Sequence, residues 1–161
     1  MKKQYTEQER LQIERARAWL SRYRWLLVDV EVLLDVLAAR REMYDKIASS
    51  FCATMIAAGA ESDRTADQAV SVCEAEEKLL AKKAAADFAI MEIVEAIDCI
   101  ANDMHRAMLK CYFIRGLTWE QAADFMGYSH SPVFHAVNDA LLAVRVPEDF
   151  VWPKEEGENY A

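Results

Sequence analysis

The chain has 161 residues, 53 % of them hydrophobic, and its 27 acidic residues outnumber its 19 basic ones to give a net charge of −8. A chain of this length can bury one domain core, with or without a helical appendage. Only four glycines and three prolines occur, so the composition predicts an all-α fold. Charged residues interrupt the most apolar run, residues 26–39, which excludes a membrane-spanning helix, and no apolar secretion segment follows Met1. We therefore expect a cytoplasmic protein.

Residues 1–104 predict a long antiparallel helical hairpin. The first helix begins at a capping box of Thr6 and Glu9, and a break or bend is expected near residues 40–44. Residues 57–63 predict the turn, and the second helix begins near Thr65. Apolar residues recur at helical spacing in the first helix (Leu20, Tyr23, Leu27, Val30, Leu34, Leu37, Tyr44, Ala48, Phe51, Met55) and in the second (Ile90, Ile93, Ile97, Ile100, Met104).

Two helices alone bury only one stripe each, which makes a thin core. The hairpin therefore either folds back on the C-terminal part or pairs with a second copy into a four-helix arrangement. A homodimer is expected, partly because a duplex with two half-sites matches a two-fold symmetric protein.

Residues 105–145 predict a C-terminal helix-turn-helix domain. Thr118 is a candidate N-cap with Gln121 at the capping-box position, and Gly127 ends that short helix. After a turn, Ser131 is the expected second N-cap and Pro132 the first helical residue. The second helix then buries its apolar side, which comprises Val133, Val137, Ala140, Leu141 and Val144.

The outer face of this second helix supplies candidate DNA-reading residues. Asn pairs with adenine through two hydrogen bonds, Ser and His bond to base edges, and Phe contacts a thymine methyl. The predicted base-reading residues are Ser131, Phe134, His135 and Asn138, and those near phosphates are Ser129, His130, Arg115 and Arg145. The alternative is that the same two helices form a hairpin inside an all-helical core.

Residues 104–144 resemble region four of bacterial sigma factors, above all in Gly116-Leu117-Thr118-Trp119-Glu120 and Gly127-Tyr128-Ser129. The order of a long helical part before this domain is similar to small phage and prophage regulators of the ArpU and RinA kind. The resemblance implies a transcription regulator that binds double-stranded phage DNA and contacts RNA polymerase.

The charge distribution supports a second hypothesis. Residues 131–144 contain no Arg or Lys, although basic residues on and after the recognition helix are usual in those regulators. Residues 26–104 have 7 basic and 16 acidic residues, whereas residues 1–25 have a net charge of +4. The alternative function is therefore an acidic phage protein that binds and inhibits a basic host protein of defence or transcription. The basic first helix either contacts DNA or is a solvated face.

No catalytic or metal site is predicted. The four cysteines are far apart and are interpreted as reduced thiols, a zinc site at His105 and Cys111 is not favoured, and the histidines lack a nucleophile partner. We therefore expect no enzyme activity and no cofactor. The acidic tail, residues 146–161, is disordered, or packs Phe150 and Trp152 on the core, or binds a partner protein.

Overall fold

The computed structural model describes residues 4–54 and 62–151. Within these two ranges the chain is entirely helical apart from turns, so the all-α prediction is confirmed. None of the helices in these ranges combines the length and the apolar character that a bilayer crossing requires. The elements are α1 (Glu7–Thr54), α2 (Ser62–Asp98), α3 (Asp103–Leu109), a π-helix (Lys110–Ile114), α4 (Trp119–Met126) and α5 (His130–Leu142).

Helix α1 begins at the predicted capping box. The Glu9 amide donates to Thr6 Oγ1 (3.3 Å), and the Thr6 amide donates to Glu9 Oε2 (2.8 Å). The helix then continues without interruption for 48 residues. Of the break or bend predicted near residues 40–44, the break is therefore wrong, because no Gly or Pro between residues 7 and 54 interrupts the hydrogen-bond ladder.

Helix α2 begins earlier and ends earlier than predicted. It starts at Ser62, and most of the predicted turn at residues 57–63 lies outside the described residues, which omit residues 55–61. It ends at Asp98 because a new cap follows: the Asn102 side chain accepts a hydrogen bond from the His105 amide (3.1 Å) and begins α3. The Arg106 guanidinium also donates to the Ile100 carbonyl in this turn.

The described residues divide into two compact units, and the division does not follow the boundary predicted at residue 104. One unit contains residues 25–54 and 62–87, and we call it the hairpin unit. The other contains residues 4–24 and 88–151, and we call it the helix-turn-helix unit. The division differs from the prediction because the start of α1 and the end of α2 pack with the C-terminal helices, whereas the rest of the two long helices has a core of its own.

In the hairpin unit, α1 and α2 run antiparallel. Lys82 Nζ donates to Asp29 Oδ2 (2.7 Å), whereas Arg40 further along α1 donates to the Ser71 carbonyl (2.8 Å), so partner numbers fall along α2 as they rise along α1. The buried cluster between the helices is small and consists of Val30, Leu37, Ala75 and Leu79.

In the helix-turn-helix unit, one larger core joins the first turns of α1 to all the C-terminal helices. Trp19 and Leu20 of α1 are fully buried beside Ile93 and Ile97 of α2. The C-terminal members of the same cluster are Met108, Leu109, Phe113, Ala123, Val133, Val137, Ala140, Leu141 and Val144. Residues 4–24 therefore form part of the same compact unit as the C-terminal helices and contribute to its core.

A stack of side chains positions the start of α4. The π-helix places Tyr112 against Trp119 with ring centroids 3.8 Å apart and ring planes within 4° of parallel. The Arg24 guanidinium also lies against the Tyr112 ring, 5.0 Å from its centroid. The wider turn of a π-helix shifts the side chains that follow it, and here it brings Tyr112 to the first residue of α4.

Candidate nucleic-acid interface

The helix-turn-helix begins with a fully formed capping box. The Gln121 amide donates to Thr118 Oγ1 (3.2 Å), and the Thr118 amide donates to Gln121 Oε1 (2.9 Å). Two otherwise unsatisfied amides are thereby paired, which fixes the start of the eight-residue α4. Gly127 ends it with φ of 71°, a left-handed conformation that disfavours any residue with a Cβ. The predicted first helix and its cap are confirmed.

Helix α5 begins two residues earlier than the sequence predicted. Ser129 is the N-cap residue and His130 the first helical residue, so the assignment of the cap to Ser131 is wrong. Pro132 occupies the third helical position, which it tolerates because the first amides of a helix have no intrahelical acceptor. The earlier start adds His130 and Ser131 to the first turn of α5.

One face of α5 is buried and the other is open. Val133, Ala140 and Leu141 are fully buried against α3 and α4, as predicted. On the outer face, 48 % of the surface of Phe134 is accessible and His135 is exposed. The other predicted DNA-contacting residues, Ser129, His130, Ser131, Arg115 and Arg145, are all exposed. The alternative of a hairpin sealed inside the core therefore does not hold for this face.

Asn138 differs from the other candidates because it is half-buried. Its neighbour Asp139 accepts a hydrogen bond from the Tyr5 hydroxyl (3.1 Å), so the N-terminal segment covers this end of the helix. His105 of α3 is half-buried as well, and this burial lowers the pKa of its imidazole, while Asp139 opposes the effect. The second half of α5 is therefore less accessible than its first half.

The N-terminal end of α5 combines open donors with a carboxylate. The first amides of a helix have no intrahelical acceptor, and the Ser129 side chain makes no capping hydrogen bond, so the amides of His130 and Ser131 receive no cap from it. Such a helix end favours anions. His130 Nε2 lies 2.9 Å from Asp124 Oδ1, and both side chains are exposed. Asp124 places a negative charge where a phosphate would approach.

Four cations lie between residues 105 and 145, and the structure divides them into two pairs. Arg106 pairs with Asp103, and Lys110 pairs with Asp98 (2.5 Å), so both are neutralised locally. Arg115 is exposed and lies over the Phe125 ring, 4.3 Å from its centroid. Arg145 follows the end of α5 and is exposed as well. Arg115 and Arg145 are therefore the cations of this segment that a phosphate can reach.

Two exposed aromatic residues near α5 are absent from the sequence-based set. Phe125 is 63 % exposed on α4, and Tyr128 is 47 % exposed in the turn. Phe125 lies outside the apolar repeat of α4, which is Trp119, Ala122, Ala123 and Met126. An aromatic residue out of register with the buried face is a signal that could have identified it.

The basic first helix is partly occupied by contacts within the unit. Arg15 Nη2 donates to the Pro147 carbonyl (2.7 Å) and to the Glu148 carbonyl (3.2 Å), and Arg22 pairs with Glu92 (2.9 Å). Phe150 packs against the core beside these residues. Of the three alternatives for the tail, packing on the core thus holds for Phe150, whereas Trp152 lies outside the described residues.

Neither a metal centre nor a disulfide is found within residues 4–54 and 62–151. This part of the chain has no group of three or more His, Cys, Asp or Glu side chains that could hold a metal ion. Cys73 and Cys99 are exposed free thiols, and Cys111 is a buried one. The side chain of Cys52 lies outside the described set.

A comparison of the chain with protein-family models, curated proteins and solved structures gives no match. The functional assignment consequently depends on the residues and their geometry alone.

Proposed function

We propose that the protein binds double-stranded DNA through α5 and acts as a transcription regulator of the phage type. The observation that supports this proposal most is that α5 has one buried face and one exposed face. Val133 and Leu141 anchor the helix in the core, while Ser131, Phe134 and His135 stay accessible on the other side. A short helix presented in this way fits the width of the major groove.

The first half of α5 reads the bases in this proposal. His135 and Ser131 provide hydrogen-bonding groups for base edges, and Phe134 provides an apolar surface for a thymine methyl. Asn138 contributes less, because its half-burial leaves less of the amide free to form two hydrogen bonds with adenine. The helix is held on its inner side by several buried residues, so binding requires little ordering of the protein.

Phosphates are held by Arg115, by Arg145 and by the start of α5 in this proposal. Arg115 and Arg145 supply positive charge, and the open amides at the start of α5 supply hydrogen-bond donors. Two cations displace few counterions from a duplex. The logarithm of the binding constant should therefore fall only slowly with the logarithm of the salt concentration, with a slope of about −0.9 for each phosphate neutralised. Asp124 opposes the phosphate near His130 and further limits affinity.

The experiment that tests this proposal measures binding to tiled fragments of the source genome by fluorescence anisotropy at two salt concentrations. We expect a preferred fragment with a shallow salt dependence. Phe134→Ala and His135→Ala should each reduce the preference by ~1 to 3 kcal/mol, because each removes one base-reading side chain. Arg145→Ala should weaken binding to all fragments alike and reduce the salt slope by about 1.

Two variants serve as controls. Phe88→Ala removes an aromatic side chain that is 65 % exposed on α2, and Arg64→Ala removes an exposed cation of the hairpin unit. Both should leave binding unchanged, because neither lies on α4 or α5, which form the proposed DNA-binding surface. Equal effects of Phe88→Ala and Phe134→Ala, or no preferred fragment at either salt concentration, would refute base reading by α5.

A second candidate function is binding to a basic site of a host protein that itself binds nucleic acid, such as RNA polymerase or a defence complex. Two observations support it: α5 has no Lys or Arg, and the described part of the hairpin unit has eleven acidic against seven basic residues. Opposite charges accelerate the encounter of two proteins. Immobilised protein should then retain a host nucleic-acid-binding protein at low salt and release it when duplex DNA is added. Retention that DNA does not affect would contradict this alternative.

A further inference from the structure

The hairpin unit has an apolar stripe on the outer side of α1, away from its own core. We call the six residues Trp25, Val28, Val32, Val36, Ala39 and Met43 the outer stripe. They follow one another at intervals of three or four residues, so they share one side of the helix. The exposed fraction is 71 % for Trp25, 52 % for Val28, 54 % for Val32, 37 % for Val36 and 53 % for Met43.

We infer that the outer stripe is the contact surface between two copies of this chain. The cluster between the described parts of the hairpin unit's helices consists of Val30, Leu37, Ala75 and Leu79, with Leu33 and Val72 partly buried against it. This core is small for two helices of about thirty and twenty-six described residues, since an isolated helix pair is normally covered by further helices. A second α1 packed on the outer stripe would supply that cover.

The area of the stripe suits such a contact. Partial burial of these side chains removes on the order of 500 Å² of apolar surface per copy. A stable interface buries about 800 Å² per partner, and about 65 % of that area is apolar in homodimers, which is again on the order of 500 Å². Monomeric proteins seldom expose a continuous apolar patch larger than a few hundred Å².

The order of residues along the stripe favours an antiparallel pair of α1 helices. When two copies pack antiparallel about the middle of the stripe, Trp25 faces Met43 of the second copy, and Val32 faces Val36 of the second copy. Each of these contacts occurs twice, because a two-fold axis makes the interface isologous. Large residues thereby meet at both ends and branched residues meet at the centre.

On one side of the stripe, the charges agree with the same register. Asp29 flanks the stripe in its first half, and Arg40 flanks it on the same side in its second half, so the antiparallel arrangement places them opposite each other. Asp29 already accepts from Lys82, and Arg40 donates one N–H to Ser71, but a carboxylate and a guanidinium can each form further hydrogen bonds.

The first test is the oligomeric state of the full chain without DNA, measured by sedimentation over a range of micromolar concentrations. We expect a dimer. Val32→Asp should weaken association by on the order of 100-fold or more, because it buries a carboxylate at the centre of the contact. Val70→Asp is the matched control, since Val70 is 57 % exposed on α2, and it should leave the dimer intact. A wild-type monomer, or equal effects of the two variants, would overturn the inference.

A second test does not depend on the stability of Val32→Asp. Asp29→Arg and Arg40→Asp should each weaken the dimer several-fold, and the double exchange should restore most of the affinity, since the pair is then reversed. Additive effects in the double variant would show that the two residues do not meet.

A third test determines the register. Chains carrying Val32→Cys and chains carrying Val36→Cys are mixed and oxidised, and the cross-linked peptides are identified by mass spectrometry. Antiparallel packing predicts that bonds between position 32 and position 36 outnumber bonds between identical positions. Predominant 32-to-32 and 36-to-36 bonds would refute the antiparallel arrangement.

Discussion

The two compact units contain the same two long helices, yet they are stabilised in different ways. In the helix-turn-helix unit, sixteen buried residues from α1, α2 and the C-terminal helices form one cluster, whereas the described part of the hairpin unit has a cluster of four. The larger core lies under the surface proposed to read DNA, where α5 must be held rigidly. The smaller core leaves an apolar stripe exposed. Helix length alone therefore does not provide a core. Residues 25–54 and 62–87 hold most of the length of α1 and α2, yet their buried cluster has four residues.

The largest expected effect comes from a matched pair of Leu→Ala substitutions, one in each unit. Leu141 is fully buried in the larger cluster, so Leu141→Ala should cost about 4 kcal/mol in free energy of unfolding. Leu37 is buried in the smaller cluster, and Leu37→Ala should cost about 2 kcal/mol, because fewer side chains surround the cavity that it leaves. Urea denaturation combined with hydrogen exchange in each unit measures both values. Equal costs would contradict the difference in core size.

The second prediction concerns the two capping boxes. Thr118→Ala should cost about 1 kcal/mol, because the first turn of α4 contains Trp119 and Ala122, which pack on the core and cannot fray without exposing buried surface. Thr6→Ala should cost only a few tenths of a kcal/mol, since the first turn of α1 is mostly exposed and can unwind. Thermal unfolding of both variants, with Thr118→Ser as the conservative control, checks the order. A larger cost for Thr6→Ala would invert the comparison.

Local signals in the sequence predicted the parts of the fold that depend on neighbouring residues. The capping boxes at Thr6 and Thr118, the left-handed Gly127 and the buried face of α5 all follow from residues within one or two helical turns. These features need no distant partner, so spacing and residue type are sufficient to predict them.

The features that sequence reasoning missed depend on distant contacts or on competing local ones. Asn138 is half-buried, and its neighbour Asp139 accepts a hydrogen bond from the Tyr5 hydroxyl, which is 134 positions away in the sequence. The assignment of residues before Arg24 to the C-terminal core has the same long-range origin. The start of α5 at His130 was missed because Ser129 and Ser131 are equally good caps in isolation, and the sequence cannot rank them.

The smallest expected effect is a dependence of folding stability on pH. It should arise in the helix-turn-helix unit, because the hairpin unit contains no histidine. Burial lowers the pKa of His105 below its ordinary value of 6.5, and Asp139 partly offsets this. The unfolded chain therefore binds the proton more readily than the folded one, so the contribution of His105 to stability is complete above pH 6.5 and is lost as the pH falls towards the folded-state pKa. His105→Gln should remove this decrease, and Asp139→Asn should enlarge it, because the offsetting carboxylate is then absent. Urea denaturation from about pH 7 to about pH 5 measures the three stability profiles. A profile of His105→Gln that falls with acid as steeply as that of the wild type would exclude His105 as the origin of the pH dependence.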